Sequence, residues 1–180
     1  MKLVGIAGRP GSGKTTIVHR LRMLLAPTTH VKFADIIYKM HDAIRTIGHH
    51  YDLPVKEKDR QLLQFLGTEW GRQQFGEDVW VNALLSKYDK VKDDAGYMLV
   101  DDVRYVNELE AIQSVGGQVI WLEVPEKECR QRIPYTYPEV EHTSEGAFED
   151  LDMFDLTLDG TQEVSGIASF LARYLKGDTW

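Results

Sequence analysis

Residues 2–16 read KLVGIAGRPGSGKTT, and how this stretch folds decides the rest of the chain. KLVGIA (2–7) is a short apolar run of β type, and Ile17, Val18, Leu21, Leu24 and Leu25 follow the glycines at helical spacing. The expected order is strand, loop, helix. Between them, Gly8-Arg9-Pro10-Gly11-Ser12-Gly13-Lys14-Thr15 fits G-x-x-x-x-G-K-[ST], the phosphate-binding loop, in the strand-to-helix setting its chemistry requires. Glycines let successive backbone N–H groups turn inward around phosphate oxygens, and the positive end of the following helix adds to the attraction. Lys14 is expected to reach the β and γ phosphates and the Thr15 hydroxyl to ligate Mg²⁺. The expected ATP-phosphate contacts are Gly8, Arg9, Gly11, Ser12, Gly13, Lys14, Thr15 and Thr16. A glycine-rich turn without a ligand is the alternative, and the strand and helix on either side weigh against it.

Further along, the same alternation repeats. HVKFA (30–34) reads as a second strand, leading through Asp35 into a helix with Ile36, Ile37, Met40, Ala43, Ile44 and Ile47 at helical period. GHHYDLPVKEKD (48–59) is polar and broken by Pro54, so it reads as a loop. A helix from Arg60 carries Leu62, Leu63, Leu66 and Trp70 inward, and another after Gly76 carries Val79, Leu84, Leu85 and Tyr88. YMLVDD (97–102), QVIWLEV (118–124) and FDLTL (154–158) read as strands; a helix from VNELEAIQSV, closed by Gly116 and Gly117, and a last one through Val164, Ile167, Ala168 and Leu171 intervene and follow. Near-continuous apolar strands separated by helices predict an α/β fold: a three-layer sandwich with a mostly parallel central sheet of about five strands, flanked by helices, with a short lid. The 180 residues are expected to form one domain, with a helical acceptor-binding region at about 35–90 and the lid at about 126–142.

Composition narrows the function. A formal net charge of -7 argues against a broad nucleic-acid-binding surface, so any phosphate bound is expected to belong to a small ligand. The one cysteine, Cys129, excludes an internal disulfide framework and cannot alone build a thiolate metal site. No signal-peptide pattern and no apolar run near the ~18 residues of a membrane span is found, so a cytoplasmic protein is expected.

A bound nucleoside triphosphate with Mg²⁺ also needs an acid at a neighbouring strand end, and Asp101 and Asp102 close YMLVDD. Which of the two faces the metal stays open, because a one-residue change of register swaps them. The chain lacks the Asn-Lys-x-Asp segment that reads guanine, and it is too short and too acidic for a helicase core. A compact kinase remains, and it needs cations from outside the loop to offset charge on the migrating phosphoryl group. Arg104 lies just past the acids, Arg130 and Arg132 follow the next strand on a segment suited to a lid, and Arg72 sits in the stretch LQFLGTEWGRQQFGEDVW (63–80). Each arginine alone reads as a solvated surface residue; four at these stations point to one site.

The segments GRPGSGKTT, KFAD, LLQFLGTEWGRQQFGEDVWVNAL, VDDVRYVNELEAI, HTSE and FDLTLDGT together resemble the deoxynucleoside monophosphate kinases of bacteriophages, a branch of the P-loop kinase superfamily. The resemblance implies transfer of a phosphoryl group from ATP to a deoxynucleoside 5′-monophosphate, with Lys14, Arg104, Arg130 and Arg132 as the catalytic cations and Thr15, Asp101 and Asp102 at the metal. It also implies an acceptor site within 35–80: Arg72 gripping the monophosphate together with Arg104, an indole of Trp70 or Trp80 or the ring of Phe65 on the base, and Phe33, Asp35 and Gln64 close by. For Trp70 and Trp80 a core role competes, for Asp35 a helix N-cap, and for Gln64 a plain helix-surface position. In HTSE (142–145), His142 is not needed as a base, and Thr143 or Ser144 as a helix cap is the simpler reading. The chain departs from the familiar monophosphate kinases in having DDVRYVNE where Asp-Gly-Phe-Pro-Arg is expected, and in its short lid. The expected partners are ATP and a deoxynucleoside monophosphate, with no nucleic-acid polymer and no membrane; a homodimer is left open. Two other readings stand beside this one: a metabolite kinase of the dephospho-coenzyme A type, and a nucleotide-dependent regulatory protein without turnover.

Overall fold

The structure is a computed structural model and describes residues 1–133, 148 and 151–178. The apolar run at the N-terminus forms β1 (Lys2–Gly8), in which Leu3, Val4, Ile6 and Ala7 are all but out of solvent. Both neighbours of β1 are parallel to it, which explains why its apolar residues are consecutive rather than alternating. With β2 (Thr28–Val31), β3 (Tyr97–Val103), β4 (Gln118–Glu123) and β5 (Leu156–Asp159) it makes a five-stranded sheet in the order β2-β3-β1-β4-β5, every pair parallel. The expected parallel α/β fold is the one observed.

The chain forms two compact units, Met1–Val31 with Tyr88–Trp180, and Lys32–Lys87. In the first, α1 (Lys14–Leu24) and α8 (Val164–Lys176) cover one face of the sheet. There Ile17, Val18, Leu21 and Leu25 meet Val4, Ile6, Leu99, Ile120, Leu122, Ile167, Leu171 and Leu175 in one buried cluster. On the opposite face lies α6 (Val106–Ser114), so close that a Cβ on Gly5 would come within 2.8 Å of Ile112 Cδ1. The three layers follow from these two coverings. A short helix, α7 (Glu126–Arg132), follows β4.

Several boundaries differ from the sequence expectation. The second strand ends at Val31 rather than Ala34, and the last starts at Leu156. Leu24 is exposed, because the face that α1 buries is completed by Leu21 and Leu25.

The second unit contains α2 (Asp35–His50), α3 (Arg60–Gln64), a π-helical segment (Phe65–Arg72), α4 (Gln73–Phe75) and most of α5 (Val79–Asp89). Its small size limits what it can bury. Ile36 and Ile47 of α2 stay exposed, although their spacing predicts an inward face. The predicted helix from Arg60 is not uniform: after α3 it widens to the i→i+5 pattern, and Trp70, expected inside, is turned out and packs edge-on against Phe75 with centroids 4.9 Å apart. Helix α2 also runs to His50, into the predicted loop.

Candidate functional site

The loop after β1 leaves the sheet at the strand whose two neighbours, β3 and β4, continue the chain on opposite sides. Parallel α/β sheets form their ligand crevices at such a point. Gly8, Gly11 and Gly13 all adopt positive φ (145°, 81° and 93°), and Ser12 N–H donates to the Arg9 carbonyl at 3.0 Å, so the backbone curls on itself before α1 begins. Gly11 is required twice over. A Cβ there would overlap the Cys129 carbonyl and sit 3.0 Å from Ile133, because the end of α7 lies against the loop. The hydroxyl of Ser12 is buried with no hydrogen-bond partner among the described residues, a polar group inside the curl.

Lys14 Nζ donates to the carbonyls of Gly8 at 2.7 Å and Arg9 at 2.9 Å. Burial, and secondarily the charge of Arg104, push its pKa down from 10.5 to about 8, while Asp101, Cys129 and Asp102 act in the opposite direction. The ligand-free loop therefore holds an ammonium short of anionic partners. Below pH 8 Lys14 is charged in folded and unfolded chain alike and its burial penalty is fully present. Between about 8 and 10.5 the folded form alone sheds the proton, and fold stability rises with pH across that window. A bound polyphosphate reverses the shift. Nucleotide binding is thus expected to take up most of a proton at pH 8.5 and about a tenth or less at pH 7. Calorimetry in buffers of different ionisation enthalpy measures this; equal uptake at both pH values, or uptake that persists in a Lys14→Met variant, would contradict it.

Asp101 lies two residues before the end of β3. The pairing runs Gly5 with Val100 and then Ala7 with Val103, so β3 carries one residue more than β1 across the two acids, a bulge at the point where sequence left the register open. Asp101 shares the parity of Leu99, which belongs to the cluster under α1, and so it faces the helix that carries the loop; it is buried, whereas Asp102 is half-buried. His30 of β2, unassigned by sequence, brings Nε2 to 2.9 Å from Asp101 Oδ1. Just beyond, Glu108 receives the N–H groups of Arg104 and Tyr105 at 2.8 and 3.2 Å and closes a capping box on α6, fixing the turn from which the exposed Arg104 side chain projects. Arg104 is near enough to influence Lys14.

Arg130 and Arg132 are exposed on α7, where each pairs one turn back, with Glu126 (Nε at 2.9 Å) and Glu128 (3.4 Å). Exposed pairs of this kind are worth roughly 0.3–0.5 kcal/mol, so releasing either arginine to an anion costs little. Residues 134–142 of the expected lid and HTSE (142–145) lie outside the described residues. Thr15 and Thr16 are exposed on the first turn of α1.

In the Lys32–Lys87 unit, Arg72 is buried, donates to the Glu77 carbonyl at 2.7 Å and lies 3.7 Å from the Glu77 carboxylate. Trp80 is buried too; its Nε1 donates to the Gly67 carbonyl at 2.8 Å and its ring fills the space above Gly71. Phe65 and Trp70 are exposed, Gln64 is an exposed residue ending α3, and Phe33 is buried. Asp35 starts α2 and accepts from Lys32 N–H at 3.1 Å, with Lys87 at 3.9 Å. Neither Glu108 nor the Lys87 pair was expected. The one sequence signal for them is the spacing of Glu108 three residues after Tyr105.

Among known proteins, the family model described as deoxynucleotide monophosphate kinase matches residues 26–133, more than half of the chain. The chain belongs to the deoxynucleotide monophosphate kinase family. The matched region does not include the phosphate loop at 8–15, so loop and family are independent signs of the same chemistry, and the protein is a P-loop phosphotransferase of a family that uses ATP. No curated protein matches it. Among solved structures, TT1252 from Thermus thermophilus superposes with a TM-score of 0.63 at 15% identity, covering 99% of this chain and 98% of its own. A sugar kinase from Janibacter superposes at 0.59 and 15% identity (98% and 95% covered), and the Mycobacterium tuberculosis APS kinase CysC, solved with AMPPNP and APS, at 0.55 and 18% (97% of each). At these identities the likeness is one of fold. Among the described residues no helix is long and apolar enough to cross a membrane.

Proposed function

We propose that this member of the family transfers the γ-phosphoryl group of ATP to the 5′-phosphate of a deoxynucleoside monophosphate, giving ADP and the deoxynucleoside diphosphate. One observation carries this reading: the loop ammonium of Lys14 lies within electrostatic reach of two carboxylates, Asp101 and Asp102, and of the Arg104 guanidinium, the charge set that in-line phosphoryl transfer needs.

The loop N–H groups from Gly8 to Thr16 bind the donor phosphates, and Lys14 leaves its carbonyl partners for the β and γ oxygens. The donors around the loop suit Mg²⁺. The Thr15 hydroxyl and the carboxylates of Asp101 and Asp102 are hard oxygens, few enough to leave positions for phosphate oxygens, and no group of three or more His, Cys, Asp or Glu side chains among the described residues forms a competing all-protein cage. When bound, the ion neutralises charge on the β and γ phosphates. Arg104, with Arg130 or Arg132, takes up the charge that develops on the transferring group. In the helical unit, exposed Phe65 and Trp70 offer faces to a base, and Arg72, with Asp35 on α2, serves the acceptor monophosphate. No general base is assigned, because positioning and charge carry this reaction.

The direct test is an ADP-release screen over dTMP, dGMP, dCMP and dephospho-coenzyme A with Mg²⁺ and ATP. Turnover of about 1–100 s⁻¹ stimulated by at least one deoxynucleotide is expected. Stimulation by dephospho-coenzyme A alone, or tight ATP binding with no acceptor effect, refutes the proposal.

A further inference from the structure

Asp101 has a side chain wholly out of solvent, and a carboxylate in that position needs polar neighbours to stay charged. One comes from the sheet edge. His30 pairs in register with Leu99, two residues before Asp101, so its ring stands on the same face as the carboxylate, 85% withdrawn from water, with Nε2 2.9 Å from Oδ1. The approach is an electrostatic contact rather than a linear hydrogen bond. His19 of α1 meets the His30 ring edge to face, with centroids 6.0 Å apart and planes at 75°, and limits how the ring can turn. A histidine here breaks the local pattern. Its strand partner Leu99 belongs to a buried apolar layer, and a β-branched residue would suit a strand better than an imidazole. The phosphotransfer mechanism makes no use of this ring, yet it touches the acid on which that mechanism depends.

We infer that His30 is a positioning residue, which fixes the carboxylate of Asp101 in the orientation that serves Mg²⁺ at the phosphate loop. The inference rests on the metal role of Asp101 in the proposed function, and it selects Asp101 over Asp102 as the acid so held. Outer partners of metal-serving carboxylates commonly govern affinity about 10- to 100-fold without touching the ion.

The test reads metal, not turnover. Free Mn²⁺ is measured by electron paramagnetic resonance with the full chain and the non-hydrolysable ATP analogue AMPPNP. His30→Leu is expected to weaken Mn²⁺ retention in the nucleotide complex by about tenfold or more, while AMPPNP binding in EDTA stays at the wild-type value. His30→Gln, whose amide nitrogen reaches the place of Nε2, should restore most of the loss. In an Asp101→Asn background, His30→Leu should add nothing. Wild-type Mn²⁺ retention in His30→Leu, or an equal loss in the Asp101→Asn background, overturns the inference. A measurement that leaves residue 30 intact guards against a misfolded variant: the ¹⁵N ring resonances of His30 should move in Asp101→Asn, and unmoved resonances overturn it equally. No acceptor is present in these experiments, so an acceptor screen that fails leaves their outcome standing, and the reverse also holds.

Discussion

Lys14→Met is expected to lower turnover about a thousandfold at saturating ATP while leaving the melting temperature of the ligand-free protein unchanged or slightly higher. The two halves of this expectation have one cause. Burial and the charge of Arg104 hold the Lys14 pKa near 8, so below that pH the charged ammonium is a destabilising guest of the empty loop. Methionine keeps the length of the stem and removes the charge. The carbonyls of Gly8 and Arg9 lose a donor, but both residues are open enough for water to replace it. In the transition state the balance is opposite: the ammonium then faces a spreading negative charge in a site poor in water, where one well-placed donor is worth about 10²–10³ in rate and a full charge more. Steady-state kinetics and thermal melting together check it. Turnover within tenfold of wild type removes Lys14 from the mechanism, whereas a large fall in melting temperature makes it a structural residue.

How far the sequence could be read depended on whether the deciding interaction was local. The phosphate loop was legible because its glycines, its lysine and the strand before it are contiguous, and the observed positive φ values at Gly8, Gly11 and Gly13 are what those residues permit. Parallel strands were legible from unbroken apolar runs such as Leu3–Ala7, since burial on both faces leaves no alternation. The choice between Asp101 and Asp102 was not, because it turns on a bulge formed by pairing with β1, far away in sequence. His30 was silent for a related reason: nothing near it in the chain shows that the end of β3 will lie beside it. Trp70 and Trp80 have equally good helical spacing on paper, yet one is exposed and the other buried, and the difference arises where Gly71 admits one indole.

That admission yields the second large effect, at Gly71. Alanine here is expected to destabilise the protein by about 2–4 kcal/mol, or roughly 5–15 °C in melting temperature for a chain of this size, although alanine is the better helix former. A Cβ on Gly71 would overlap the Trp80 ring and come within 2.8 Å of the Leu66 carbonyl. Neither can yield cheaply. The indole is buried and tied by Nε1 to the Gly67 carbonyl, so moving it costs packing and leaves a buried donor unmet, and the carbonyl is main chain of the π-helical segment itself. Gly67→Ala is the control: its Cβ would meet only Ile37 Cδ1, at 3.2 Å, the far end of a flexible side chain, and helix propensity offsets that crowding. The π segment also carries Phe65 and Trp70 outward and Arg72 inward, so distorting it should raise the acceptor KM of Gly71→Ala sharply. AMPPNP affinity should stay near wild type, since the residues that contact the loop among the described ones, Leu122, Cys129 and Ile133, belong to the other unit. π-Helical turns recur at functional sites because the extra residue re-aims side chains that a regular helix would present elsewhere. Should Gly71→Ala melt with the wild type, the Gly71–Trp80 packing is not what holds the π turn; should it melt early yet keep the wild-type acceptor KM, the turn is architecture alone and the acceptor is bound elsewhere.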